Sequence, residues 1–218
     1  MKTQLMIIVF LLIANSCVSQ RKETISKSTI KLEGRNTSIR NLIEIDGYYQ
    51  NIDSEGRASY GIFFEDGVCG GFWFKEGVTE EMKRKNLSEA IDSWMQKGQV
   101  RWGSYWGVYK IDKDTIVIQT VNKAGIFDWN WSFSELKYEI IDRQTLKLIY
   151  QKSLINETEY DKYPYEIRKR NIIDKFVPAD SLPSSDNWLK EEKWIWRNEQ
   201  DWKDYMERIK QKNKKGLK

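Results

Sequence analysis

From Gly47 onward, apolar and aromatic residues come in short runs separated by Asp- and Gly-bearing breaks. Tyr48–Ile52, Ser59–Phe64 and Val68–Phe74 alternate with Asp53-Ser54-Glu55-Gly56 and Glu65-Asp66-Gly67, the punctuation of a β-meander. Tyr105–Ile111 and Thr115–Val121 flank Asp112-Lys113-Asp114, and Trp129–Ile141 and Thr145–Tyr150 flank Asp142-Arg143-Gln144, which predicts two more hairpins. Ile172–Val177 follows a polar stretch (156–170) and supplies an eighth strand before Pro178. Eight short strands in up-and-down order predict a mainly β chain closed into an antiparallel barrel, which leaves no free edge. A two-sheet sandwich is the alternative. Within the sixth run Trp129, Trp131 and Phe133 share one parity, whereas Leu136, Tyr138 and Ile140 take the other. Such a slip predicts a β-bulge around Ser134.

Two regions leave the period of two. Between Thr79 and Gln96, Met82, Leu87, Ala90, Ile91, Trp94 and Met95 recur every three or four residues, and Gly98 follows. Thr79 suits a cap and Glu80 and Glu81 suit a first turn, so one inserted amphipathic helix is expected over 79–97. Residues 181–218 read as a C-terminal helical extension. Ser185 or Asp186 is placed to cap a segment holding Trp188 and Leu189, and Trp202, Tyr205, Met206 and Ile209 fall on one helix face. Trp194-Ile195-Trp196 fits neither period.

The N-terminus has another character. Leu5–Ala14 is an unbroken apolar run of ten behind Lys2, too short to span a bilayer and of signal-peptide length. Ala14-Asn15-Ser16-Cys17 after it resembles the lipobox of bacterial lipoproteins, which implies a signal over 1–16, lipidation of Cys17 and a membrane anchor. An ordinary secretory signal cleaved near Ser19 is the alternative; export follows from both. Residues 17–41 then read as a lipidated polar tether, and a flexible chain of that length spans roughly 25–30 Å. No acidic run follows Cys17, as it does in some lipoproteins bound for the outer cell face, so the resemblance points to the periplasmic side of the cell envelope.

Composition narrows the chemistry. The chain of 218 residues has no histidine, so Ser-His-Asp and Cys-His nucleophiles and His-ligated zinc are excluded. Cys69 would be the one thiol left after processing at Cys17; it sits in Val68-Cys69-Gly70-Gly71-Phe72 and reads as a small buried hydrophobe. Glycine-rich phosphate loops and metal-ligand clusters are missing from the sequence, so neither a cofactor nor a metal is expected. Asp112 and Asp114 read as turn formers, and Glu65 and Asp66, being adjacent, point in opposite directions. An enzyme is not expected; a hydrolase would need two carboxylates converging in a cleft. Residues 203–218 carry seven Lys/Arg against two acids, a solvated helix end or a contact for anionic lipid rather than for nucleic acid.

Ten tryptophans are the remaining signal. Large rings fill a core, or line a pocket for a flat or apolar ligand. Strand alternation offers Trp106, Trp129 and Trp131 as cavity-lining rings, with Tyr48, Tyr109 and Tyr138 as polar tips. The opening Ile45-Asp46-Gly47-Tyr48-Tyr49 resembles the Gly-x-aromatic start of lipocalin-like barrels. Trp106-Gly107-Val108-Tyr109-Lys110-Ile111 running into Asp114-Thr115-Ile116-Val117-Ile118 is similar to small lipocalin-like bacterial lipoproteins. The resemblance covers roughly residues 45–177; the barrel is expected over 42–180. It implies an anchored barrel binding a small apolar or amphipathic ligand without catalysis; the alternative is an envelope interaction or inhibitor protein with a filled barrel.

Overall fold

The computed structural model describes residues 28–52, 58–91, 105–124, 130–153 and 172–216, without the side chains of 122–124, 130–132, 153 and those beyond 214. Eight strands follow one another around a closed antiparallel barrel, each paired with its neighbours in sequence and the last with the first. They are β1 (Gly47–Ile52), β2 (Ala58–Phe63), β3 (Val68–Phe72), β4 (Tyr105–Asp112), β5 (Thr115–Ala124), β6 (Asn130–Asp142), β7 (Thr145–Ser153) and β8 (Ile173–Pro178). The strand count and order expected from the meander hold, and the architecture is consistent with a lipocalin-like fold. Asp112 pairs with Thr115 and Asp142 with Thr145, so both later hairpins turn on two residues. Lys113 takes the left-handed conformation (φ 58°) that the first of these turns demands.

The bulge lies elsewhere than at Ser134. β5 and β6 pair without interruption from Thr115 opposite Glu139 to Ala124 opposite Asn130. The register slips instead between β6 and β7, where Lys137 faces Tyr150 but Tyr138 faces Leu148, leaving Ile149 as the extra residue. The change of parity in β6 has another cause. Phe133 and Leu136 are both buried, on opposite faces of the wall. Part of the barrel's outer face is covered as well as its interior.

One apolar cluster is the interior. Every strand contributes to it: Tyr49, Phe63, Cys69, Tyr109, Ile116, Ile118, Leu136, Tyr138, Leu146, Leu148 and Phe176. Ile39, Ile43 and Ile45 close it from one end, with a 3-10 turn at Ile39–Asn41. Arg143, from the β6–β7 turn, holds that plug by donating to Glu44 Oε1 and to the carbonyls of Asn41 and Arg40. The second cluster lies outside the wall, where Tyr48, Ile62, Val68, Phe72, Trp106, Val108, Val121 and Phe133 are covered by Leu87, Ile91, Leu189, Ile195, Ile30 and Leu32.

The coverings revise several expectations. Residues 28–41 are not tether: Leu32 bridges in parallel to Trp196, and the Gln119 side chain accepts hydrogen bonds from the backbone N–H groups of Thr29 and Ile30. Cys17 and residues 18–27 lie outside the described residues. The inserted helix is two short ones, α1 (Glu80–Lys85) and α2 (Leu87–Ala90). Thr79 caps α1 as expected, accepting from the Met82 N–H. Asn86 breaks the run because its non-helical backbone ends α1 while its side chain caps α2 through the Glu89 N–H. Met82, placed on the apolar stripe by its spacing, is 50% exposed, and Lys83 takes the inward position, its ammonium 4.5 Å from the Phe74 ring centroid. Ile91 leaves the helix to bridge Phe74; Trp94 and Met95 lie outside the described residues.

The C-terminal extension is α3 (Trp188–Glu191), a 3-10 turn at Lys193–Ile195 and α4 (Glu199–Gly216). Asn187, not Ser185 or Asp186, caps α3, accepting from the Leu189 N–H. Asp186 instead meets Lys190, Arg208 and Lys212, which ties the basic end of α4 to the body. Trp202, Tyr205, Met206 and Ile209 form the less exposed face of α4, as their spacing predicted. Among the described residues no helix is long and apolar enough to cross a membrane.

Candidate functional site

The closed end of the barrel is filled with rings. Tyr49 meets Phe63 and Phe176 at centroid distances of 5.8 and 5.5 Å, and Phe63 meets Tyr109 at 5.6 Å. Above this floor lies a cavity of about 580 Å³, within the range of small-molecule pockets, about 300–1,000 Å³. Its described walls include Tyr49, Phe63, Tyr105, Ile118, Leu136 and Leu148, and it reaches the strand ends at Ile52, Ala58, Trp73, Gln151 and Ile172. The barrel is therefore filled at one end and hollow at the other.

Alternation on β8 aims Asp174 into this space. Lys175, next to it, points outward and donates to Thr145 Oγ1; Leu146, paired with Asp174, belongs to the interior. Asp174 is 9% exposed, and its Oδ1 has no hydrogen-bond partner among the described residues. Loss of hydration pushes its carboxyl up to about 7, an effect that Tyr138 only partly offsets by favouring the ionised form. The Tyr138 and Tyr105 hydroxyls are shifted upward by burial and by the nearby acid, so both stay neutral at ordinary pH. Cys69 shares the wall; it is a free, buried thiol that burial pushes up, so it is inert as a nucleophile. The seat of Tyr105 depends on its cross-strand partner Gly71, because a Cβ there would overlap the Tyr105 ring.

Of the six residues singled out by sequence, the structure places Tyr138 in this cavity. Tyr48 is buried on the outer wall, packed edge-to-face on Phe72 and Phe74, and its hydroxyl has no partner among the described residues. Trp106 also faces outward, stacked on Phe64 at 6.3 Å, and lines a cleft of about 520 Å³ beside Trp188 and Tyr205. Tyr109 points inward but belongs to the sealed end. Its hydroxyl donates to the Phe64 carbonyl at 2.5 Å and lies 2.7 Å from Thr37 Oγ1. The side chains of Trp129 and Trp131 lie outside the described residues; the backbone of Trp131 pairs with Lys123. The reason for the misplacement is the covered outer wall, which gives large apolar residues a buried home on both parities.

Tyr105 and Asp174 are the functional candidates that sequence reasoning passed over. An acid inside the apolar run Ile172–Val177 was their one visible signal. The acids weighed for hydrolysis have structural partners: Glu65 accepts from Arg40 and Asn36, and Asp66 from Ser185 and Lys190. Comparison of the chain with protein-family models, with curated proteins and with solved structures finds no match.

Proposed function

We propose that this chain is an exported, lipid-anchored lipoprotein of lipocalin-like type that holds a small apolar or amphipathic ligand in its barrel and performs no covalent chemistry on it. The observation that carries the reading is the interior cavity of about 580 Å³, walled mainly by aromatic and aliphatic side chains and continuous with the strand ends. Burial of apolar ligand surface, at roughly 25 cal/mol per Å², supplies the driving force. A barrel filled throughout would have favoured a protein acting only through its outer surface. The Leu5–Ala14 run and Cys17 support export and anchoring in a bacterial envelope, facing the periplasm.

Titration with the uncharged dye N-phenyl-1-naphthylamine tests the ligand site. Saturable one-to-one binding is expected, with fluorescence enhancement, and Leu148→Trp, which fills the cavity from β7, is expected to weaken it at least about tenfold. Absence of saturable binding, or equal binding by that variant, rejects the reading. The anchor has its own test. Growth of an expressing bacterium on labelled palmitate is expected to mark the full chain and to leave Cys17→Ala unlabelled; an unlabelled native chain rejects lipidation.

A further inference from the structure

We infer that the ligand carries a cationic head, an ammonium group on an apolar body, and that Asp174 is its counter-ion inside the barrel. This rests on the ligand-binding reading above and narrows it to a chemical class.

The inference comes from how charge and hydrogen-bonding capacity are distributed over the cavity wall. Asp174 is the one ionisable acid among the described lining residues, and no lysine or arginine is among them. Its Oδ1 is shielded from water and has no partner among the described residues, which a native fold rarely leaves uncompensated. The outward neighbour Lys175 is engaged with Thr145 on the other face of the wall and cannot neutralise it. The titratable groups facing Asp174 from the packed strands are Tyr138 on β6, Tyr105 on β4 and Cys69 on β3, all held neutral by burial. Tyr49 on the adjoining β1 is likewise shifted upward, and its hydroxyl is turned to the Glu44 and Arg143 carbonyls at the sealed end. The site thus offers one negative charge, neutral phenols and ring faces, a combination that attracts a cation by charge and by ring quadrupole. A carboxylate ligand would place like charges together in a water-poor space and is disfavoured.

Binding an ammonium also has a proton consequence. Close to neutral pH the Asp174 carboxyl is partly protonated, and an entering cation favours the carboxylate. The carboxyl proton then leaves to solvent while the ammonium keeps its own. No bond other than that O–H is broken.

The experiment is a competition at pH 8, with N-phenyl-1-naphthylamine displaced in turn by decylamine, decanol and decanoate, which share a chain and differ in the head. Decylamine is expected to bind at least about tenfold tighter than decanol, with decanoate weakest. In Asp174→Asn the ratio of decylamine to decanol affinity is expected to fall close to one. Calorimetry of the native chain at pH 7, in buffers of different ionisation enthalpy, should show release of about half a proton per decylamine bound and none for decanol. Decanol binding as tightly as decylamine, a preference that survives in Asp174→Asn, or no proton release overturns the inference while leaving the ligand-binding reading standing. Failure of all three amphiphiles and the dye rejects both together.

Discussion

Replacing Lys190 by alanine is expected to destabilise the protein by about 2–4 kcal/mol, read as a fall in the urea midpoint at unchanged slope. Lys190 is 3% exposed. Its ammonium lies 2.8 Å from Asp66 Oδ2 and 3.7 Å from Asp186, and sits 5.0 Å from the Tyr205 ring centroid. Through these contacts one side chain ties α3, α4 and the turn between β2 and β3 together. Removing it takes away the cation that faces the Asp66 carboxylate, which keeps its Ser185 hydroxyl, and deletes the stem that packs under α4. The loss should hold at high salt, because the ammonium is shielded from the ions that screen surface pairs. Lys190→Met combined with Asp66→Asn is expected to recover at least about half of it, since the uncompensated charge is then gone. No recovery would mean that the ammonium's own contacts to Asp66, Asp186 and the Tyr205 ring hold the segment.

Asp174→Asn is expected to do the reverse, and in a pH-dependent way. The carboxyl titrates about 7 in the folded chain, against about 3.9 when unfolded. The folded state therefore binds this proton more tightly than the unfolded state does. The group's favourable contribution is complete below about pH 4 and is lost as pH rises to about 7. At ~1.4 kcal/mol per factor of ten in proton affinity, native Asp174 forfeits up to about 4 kcal/mol across that window. The variant has no such titration. It is expected to be more stable than the native chain at pH 8 by an amount that shrinks toward pH 4.5, measured by urea unfolding at both pH values. A constant difference between the two would show that Asp174 titrates normally.

The strands were legible in the sequence because their breaks are chemically distinct. Asp112-Lys113-Asp114 and Asp142-Arg143-Gln144 each mark a turn, and the strand ends fall within a few residues of their expected places. Which face of each strand looks inward was not legible. Period-two reading needs a wet face for contrast, and β1 gives none, since Tyr48 and Tyr49 are both buried. The cover that removes the contrast comes from residues far away in sequence, including Ile30, Leu87 and Ile195. The first of these stands among polar neighbours, so residues 28–41 looked like a leash. Asp174 was hidden for a related reason. A lone acid in a short strand reads as its solvent side until the pairing with Leu146 shows that the solvent side belongs to Lys175.

The extra residue on β7 gives the barrel a point of slack in chain length. Before Ile149 the inward side chains are Leu146 and Leu148; beyond it Gln151, opposite Leu136, lines the cavity while Tyr150 lies outside under Lys137. Deleting that single residue would join Leu148 to Tyr150 in unbroken alternation, so the tyrosine would stay outside and the glutamine in the lumen, and only the local kink would be lost. The mouth would keep its amide and the outer wall its ring. Loss of one codon at this point is thus absorbed by the wall, with the same residues left facing the cargo.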